Sequence, residues 1–123
     1  MERLTGQRRI LREVFRLAER PLSPLEALTR ARQLDANLGV ATVYRTVKAL
    51  LEVGELVIVP LASGARYERG DKAPHAHFHC RECDRLYDVS GDKPELPAPQ
   101  GFRLETQEIV LYGVCSSCTE QEA

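Results

Sequence analysis

At 123 residues, with 43% apolar and 28% charged side chains, the chain has the make-up of a soluble globular protein with room for one ordinary domain or two very small ones, which excludes a disordered tail. No stretch approaches the ~18 consecutive apolar residues of a membrane span, and the opening Met-Glu-Arg-Leu-Thr has no signal-peptide character, so a cytoplasmic location is expected. The net charge of −1 hides an asymmetry: residues 1–69 hold 12 Lys and Arg against 8 Asp and Glu, and residues 70–123 hold 5 against 10. Only the first half is suited to face a polyanion, although solvated charges scattered by chance give the same split.

In chain order, Ile10, Leu11, Val14, Phe15 and Ala18 form the apolar stripe of an amphipathic helix over residues 7–18, with Thr5 or Gly6 as its cap. Arg20-Pro21 ends it. Ser23, followed three residues later by Glu26, is a capping box that opens a second helix running to about Gln33. A turn over residues 35–39 leads to a third helix over residues 40–53, with Val43, Val47, Leu50 and Leu51 on one face and Gly54 at the left-handed C-terminal position. The period then changes from helical to alternating. Residues 56–59 and 65–68 are predicted to pair as a β-hairpin with a Ser-Gly turn. Three helices and a hairpin are the layout of a winged helix-turn-helix.

If the apolar face of the third helix packs inward, Ala41, Tyr44, Arg45, Lys48 and Glu52 point outward. A recognition helix meets base edges and phosphates through such a face, and Thr42 lies at its start. Tyr44 could pack on a thymine methyl and Arg45 could pair with a phosphate or a guanine edge. Arg8, Arg9 and Arg12 on the first helix are candidate phosphate contacts. An ordinary solvated helix face fits the same pattern.

Residues 70–74 read as a hinge. Strands are expected at 77–80, 86–89 and 102–112, and the proline-rich 94–99 segment between the last two cannot be a regular helix. Two sub-domains of this size are marginal on core burial alone, so a metal or a partner subunit is expected to help. All four cysteines fall in two C-x-x-C pairs, Cys80/Cys83 and Cys115/Cys118. Two such turns can close a tetrahedral Cys₄ zinc site, and a redox pair using the same sulfurs is the alternative. The chain's 3 histidines are His75, His77 and His79, and strand alternation puts them on one face. Three histidines on a face next to carboxylates can bind zinc, iron or manganese, and Glu68 and Asp88 could fold back onto that face to give a mixed nitrogen–oxygen site that bridges the two halves. A hydrogen-bonded histidine strand is the plain alternative, and His79 could simply support the cysteine site.

Gly39-Val-Ala-Thr-Val-Tyr-Arg-Thr-Val47 resembles the recognition-helix signature of the ferric uptake regulator (Fur) family. Leu4-Thr-Gly-Gln-Arg8, the H-x-H before C-x-x-C, and Leu111-Tyr-Gly-Val-Cys-Ser-Ser-Cys118 complete a likeness that spans nearly the whole chain. The resemblance implies an α+β protein: a winged-helix DNA-binding domain at 1–69, the hinge at 70–74, and at 75–123 a small, mostly antiparallel α/β domain for dimerisation and metal sensing. It implies a homodimer on a palindromic, AT-rich operator, with a structural zinc at the cysteines. It also implies a regulatory Fe²⁺, Mn²⁺ or Zn²⁺ at Glu68, His75, His77 and Asp88, with Tyr44 and Arg45 reading DNA.

Three departures stand out. The family's sensor histidine at the start of the second helix is Pro21 here, so Glu68 must carry the coupling to DNA. The acidic and His ligands of a third metal site correspond to Ala76 and Gln107, so that site is expected to be absent. The proline-rich segment replaces a helix usually packed on the sheet. Within the family, a metal-dependent repressor competes with the peroxide-sensing branch, in which an aspartate at the Asp88 position is typical. Outside it, two His and two carboxylates could form a hydrolytic site, but so short a chain leaves little material for a substrate pocket, and no enzyme is expected.

Overall fold

The computed structural model describes residues 2–122, with side chains over 5–121; the side chain of Leu4, first in the opening motif, lies outside the described residues. The chain divides between Asp71 and Lys72 into two compact units.

In the first unit, helix α1 spans Glu2–Leu17. It starts earlier than its apolar stripe, so Thr5 and Gly6 lie inside it and cap nothing; the preceding Glu, Arg and Leu are good helix formers and extend it backwards. Helix α2 (Pro24–Ala31) opens on the predicted capping box. The Glu26 amide donates to Ser23 Oγ at 3.1 Å and the Ser23 amide donates to Glu26 Oε1 at 2.9 Å. It ends two residues short of Gln33, in a turn held by Gln7 Nε2 donating to Asp35 Oδ2 at 3.2 Å. Helix α3 (Val40–Glu52) closes in a Schellman arrangement. Gly54 adopts φ +78°, and the Gly54 and Glu55 amides donate to the Leu51 and Leu50 carbonyls at 3.2 and 2.9 Å.

Strands β1 (Leu56–Val59) and β2 (Arg66–Arg69) pair antiparallel, Leu56 opposite Arg69 and Val59 opposite Arg66. The second strand therefore starts one residue later than its alternation suggests. Leu22 bridges to Tyr67 through two backbone bonds of 2.9 and 2.8 Å, which pins the hairpin to the segment between α1 and α2. Leu11 and Phe15 from α1, Ala27, Leu28 and Ala31 from α2, Val43 and Val47 from α3, and Leu22, Leu38 and Leu56 form one buried cluster. Leu11 is wholly buried, and Leu11→Ala is expected to destabilise this unit by about 3 kcal/mol through lost transfer energy and a residual cavity. A guanidinium chloride titration followed by helical circular dichroism measures it.

In the second unit, strands β3 (His77–Cys80), β4 (Leu86–Asp88) and β5 (Val110–Gly113) form a sheet in the order β4-β3-β5. β3 pairs antiparallel with β4 and parallel with β5. The sheet is thus mixed, with one antiparallel and one parallel pairing. The third strand is also far shorter than 102–112, because β3 offers only four residues to pair with; Phe102 and Leu104 remain exposed on an irregular run. A final helix α4 (Ser116–Glu122), not foreseen, carries Cys118 in its first turn. Among the described residues no helix is long and apolar enough to cross a membrane.

Candidate metal centres and nucleic-acid interface

On α3 the buried stripe is Thr42, Val43, Thr46 and Val47, one step per turn wider than the aliphatic residues alone mark out. Ala41, Tyr44, Arg45, Lys48 and Glu52 are exposed, and Tyr44 leaves 54% of its surface open to solvent. Thr42 departs from its expected place. It is only 8% exposed, and its Oγ1 accepts from Arg45 Nη2 at 3.3 Å, so it orients the guanidinium and offers little surface of its own.

Most arginines of this unit already hold carboxylates. Arg12 grips Glu55 through two bonds of 2.7 and 2.6 Å, Arg16 grips Glu13, and Arg30 grips Glu19. The Arg30 pair holds the Glu19 carboxyl down at about 2. Arg8, Arg9 and Lys48 are exposed and have no ion-pair partner among the described residues. The cations left to meet phosphate therefore lie on α1 and on the outer face of α3.

The cysteine cluster is assembled from both ends of the sheet. Cys80 ends β3, Cys83 follows in a tight turn closed by Asp84 at φ +63°, Cys115 follows β5, and Cys118 lies on α4. All four are free thiols, and their Sγ atoms lie within 4.8 Å of one another, Cys83 and Cys115 at 3.9 Å. Zn–S bonds of about 2.3 Å in a tetrahedron put sulfurs roughly 3.8 Å apart, so the cluster fits zinc. Burial opposes ionisation of Cys80, but the Cys115 and Cys83 amides donate to its sulfur at 3.3 and 3.5 Å and bring the thiol down to about 6. Cys118 is pushed up to about 12, first by its hydrogen bond to Cys115 and then by burial.

A second cluster sits at the other end of β3. Cross-strand pairing sets His77 opposite Asp88, and His75 precedes the strand. His75 Nε2 lies 3.0 Å from His77 Nε2 and 2.9 Å from Asp88 Oδ1, and His77 Nε2 lies 3.4 Å from the same oxygen. His75 Nδ1 is 2.7 Å from the Ala73 carbonyl. That oxygen can only accept, so Nδ1 carries the hydrogen and a neutral His75 turns the lone pair of Nε2 inward. Two imidazole nitrogens and a carboxylate oxygen thus converge at one point, a donor set that can hold a cation. Metal bonds of about 2.0–2.2 Å put neighbouring donors roughly 3.0–3.5 Å apart, so the donor set fits a divalent ion.

His79 does not join this set. Its Nε2 bonds Asp84 Oδ1 at 2.7 Å and its ring stands edge-on to Tyr112, which braces the turn between the first two cysteines. Gln107 is likewise engaged: its side chain bonds both the amide and the carbonyl of Leu96, tethering the proline-rich run. Glu68 belongs to the first unit, buried on β2 opposite Val57. Sequence reasoning missed Lys72, whose Nζ bonds Asp88 Oδ2 at 2.6 Å; no local pattern marks a pair 16 residues apart.

A winged helix followed by a sheet with a four-thiolate cluster and a separate His–His–Asp cluster is the make-up of a metal-responsive regulator. The chain belongs to the ferric uptake regulator family, whose model matches residues 2–112. It is similar to the ferric uptake regulation protein of Campylobacter jejuni, at 29% identity over 127 residues, covering 97% of this chain and 81% of that protein. Among solved structures it is similar to the ferric uptake regulator of Helicobacter pylori, at TM-score 0.74 and 24% identity, over 96% of this chain and 83% of that one. It is also similar to a zinc-bound manganese uptake regulator, at TM-score 0.71 and 25% identity, over 89% and 87% of the two chains.

Proposed function

We propose that this protein is a homodimeric transcriptional repressor whose affinity for operator DNA is set by a divalent metal ion. The observation that carries the reading is the convergence of His75 Nε2, His77 Nε2 and Asp88 Oδ1 at ion-sized separations, in a chain whose α3 turns Tyr44, Arg45 and Lys48 outward. Residues 1–69 bind DNA, 70–74 act as a hinge, and 75–123 dimerise and sense metal. Zinc at Cys80, Cys83, Cys115 and Cys118 is structural. The regulatory ion is held by His75, His77 and Asp88, with Glu68 as the donor from the wing. When bound it would supply positive charge facing the two imidazoles and Asp88.

The relatives are named for iron and manganese uptake, which supports a metal signal without choosing the ion. Two imidazoles and two carboxylates, with no sulfur, favour Fe²⁺ or Mn²⁺ over a zinc-only sensor. The ion acts by weighting the DNA-competent state through its higher affinity for that state.

Binding to a labelled AT-rich palindrome by fluorescence anisotropy tests this, with weakly bound metal removed and Zn²⁺, Mn²⁺ or anaerobic Fe²⁺ then added separately. One ion is expected to raise affinity at least tenfold, about 1.4 kcal/mol of coupling. Equal affinity with and without every ion would leave a DNA binder that does not sense metal. Tyr44→Ala is expected to weaken operator binding by about tenfold or more while leaving the unfolding midpoint within about 0.5 kcal/mol of the parent, because the ring is already in solvent. Unchanged DNA affinity in that variant would remove α3 as the reading face.

A further inference from the structure

The two oxygens of Asp88 have different partners. Oδ1 faces the Nε2 atoms of His75 and His77. Oδ2 is held at 2.6 Å by the Nζ of Lys72, which precedes β3 in the same unit. The Lys72 and Asp88 side chains are only 19% and 24% exposed, so the pair is screened less than one on the open surface. Arg69 pairs with Asp71 at 2.9 Å, and the Lys72 ammonium is directed at the Asp88 carboxylate.

We infer that Lys72 is an affinity-setting counter-ion of the His75/His77/Asp88 cluster, an inference that rests on reading those three residues as metal donors. Two consequences follow from its place. By occupying Oδ2 it limits Asp88 to one donor oxygen, where a free carboxylate could give two. Its positive charge also offsets the negative charge of Asp88, so the cluster attracts a divalent ion less strongly than its ligand count suggests. The penalty falls hardest on ions that draw their binding from carboxylate oxygen, such as Mn²⁺, and least on Zn²⁺, which gains more from imidazole nitrogen. Lys72 therefore raises the free-metal concentration at which the cluster fills and narrows the preference for hard ions. It acts through Asp88 and is a positioning residue, not a ligand.

The test uses the full chain with its cysteine cluster loaded with zinc, titrated with Mn²⁺ by the electron paramagnetic resonance of the free ion. Zn²⁺ is titrated against a chelator, and Co²⁺ is followed by visible absorption. Lys72→Met is expected to tighten Mn²⁺ binding about tenfold and Zn²⁺ about threefold, and to alter the Co²⁺ bands as Asp88 gains its second donor oxygen. Lys72→Arg, which keeps the charge and the contact, is expected to match the parent in all three. Parental or weaker metal binding in Lys72→Met overturns the inference, as does a Lys72→Arg that behaves like Lys72→Met. His77→Ala separates the two levels. If it abolishes Mn²⁺ binding while Lys72→Met fails to tighten it, the donor set stands and the counter-ion role falls. If Mn²⁺ binding survives His77→Ala, the donor set itself is wrong and the inference falls with it.

Discussion

Cys83→Ser is expected to cost the protein its structural zinc and the fold of residues 72–123 in one step. The reason lies in how little else holds that unit. Its buried apolar residues are Ala76, Cys80, Leu86 and Cys115, two of them thiols of the cluster itself. The three strands are three or four residues long, and Phe102, Leu104 and Tyr112 stay in solvent. Apolar burial on that scale does not offset the ordering of about fifty residues. A tetrahedral thiolate site tips the balance: structural zinc contributes an apparent ~10–16 kcal/mol in small peptides, more than the whole net stability of many domains. Removing one of four sulfurs leaves three ligands and an open position, so zinc content measured by mass spectrometry is expected to fall from one ion per chain to less than about a tenth. Amide exchange over 72–123 is expected to rise to that of an unfolded chain while 2–71, with its own core, keeps its protection. A metal-free Cys83→Ser protein with protected β3 and β5 amides would show that the strands, not the zinc, carry the unit.

The first unit was readable because its signals are local. Aliphatic residues at helical spacing, a Ser–Glu capping box, a glycine in the left-handed region and a change of period each act over a few residues, and the structure uses all of them. The misreading of Thr42 has the same origin. Counted as polar, threonine falls outside the stripe, yet Thr42 is buried and its hydroxyl accepts from Arg45. In the second unit the ladder is non-local. Residues 102–112 alternate well enough to suggest one long strand, but only 110–113 lie beside the four residues of β3. The candidate metal residues were legible as residue types and spacings. What escaped were their outer partners, Lys72 on Asp88 and Asp84 on His79, because no periodicity announces a single charged contact.

His77→Ala is the substitution expected to separate metal sensing from folding. His77 stands on β3 with the cysteine cluster at the far end of the same strand, and its ring meets His75 and Asp88, not the thiols. The variant should therefore keep one zinc per chain and a parental unfolding curve. Its affinity for the second ion is expected to fall by about a hundredfold or more, as for removal of an inner ligand, and the metal-dependent gain in operator affinity should shrink from tenfold to less than about twofold. A parental gain in His77→Ala would place the sensor elsewhere in the chain. Glu68→Gln supplies the contrast. Glu68 is the one donor proposed from the DNA-binding unit. Removing its charge leaves two imidazoles and Asp88 to hold the ion, so binding weakens modestly while the effect on DNA is lost. A ligand moves an equilibrium only by its differential affinity for the two states, and an ion held wholly within the second unit has no such difference to offer. If Glu68→Gln instead keeps the full metal response, coupling runs through the sheet and the dimer without the wing.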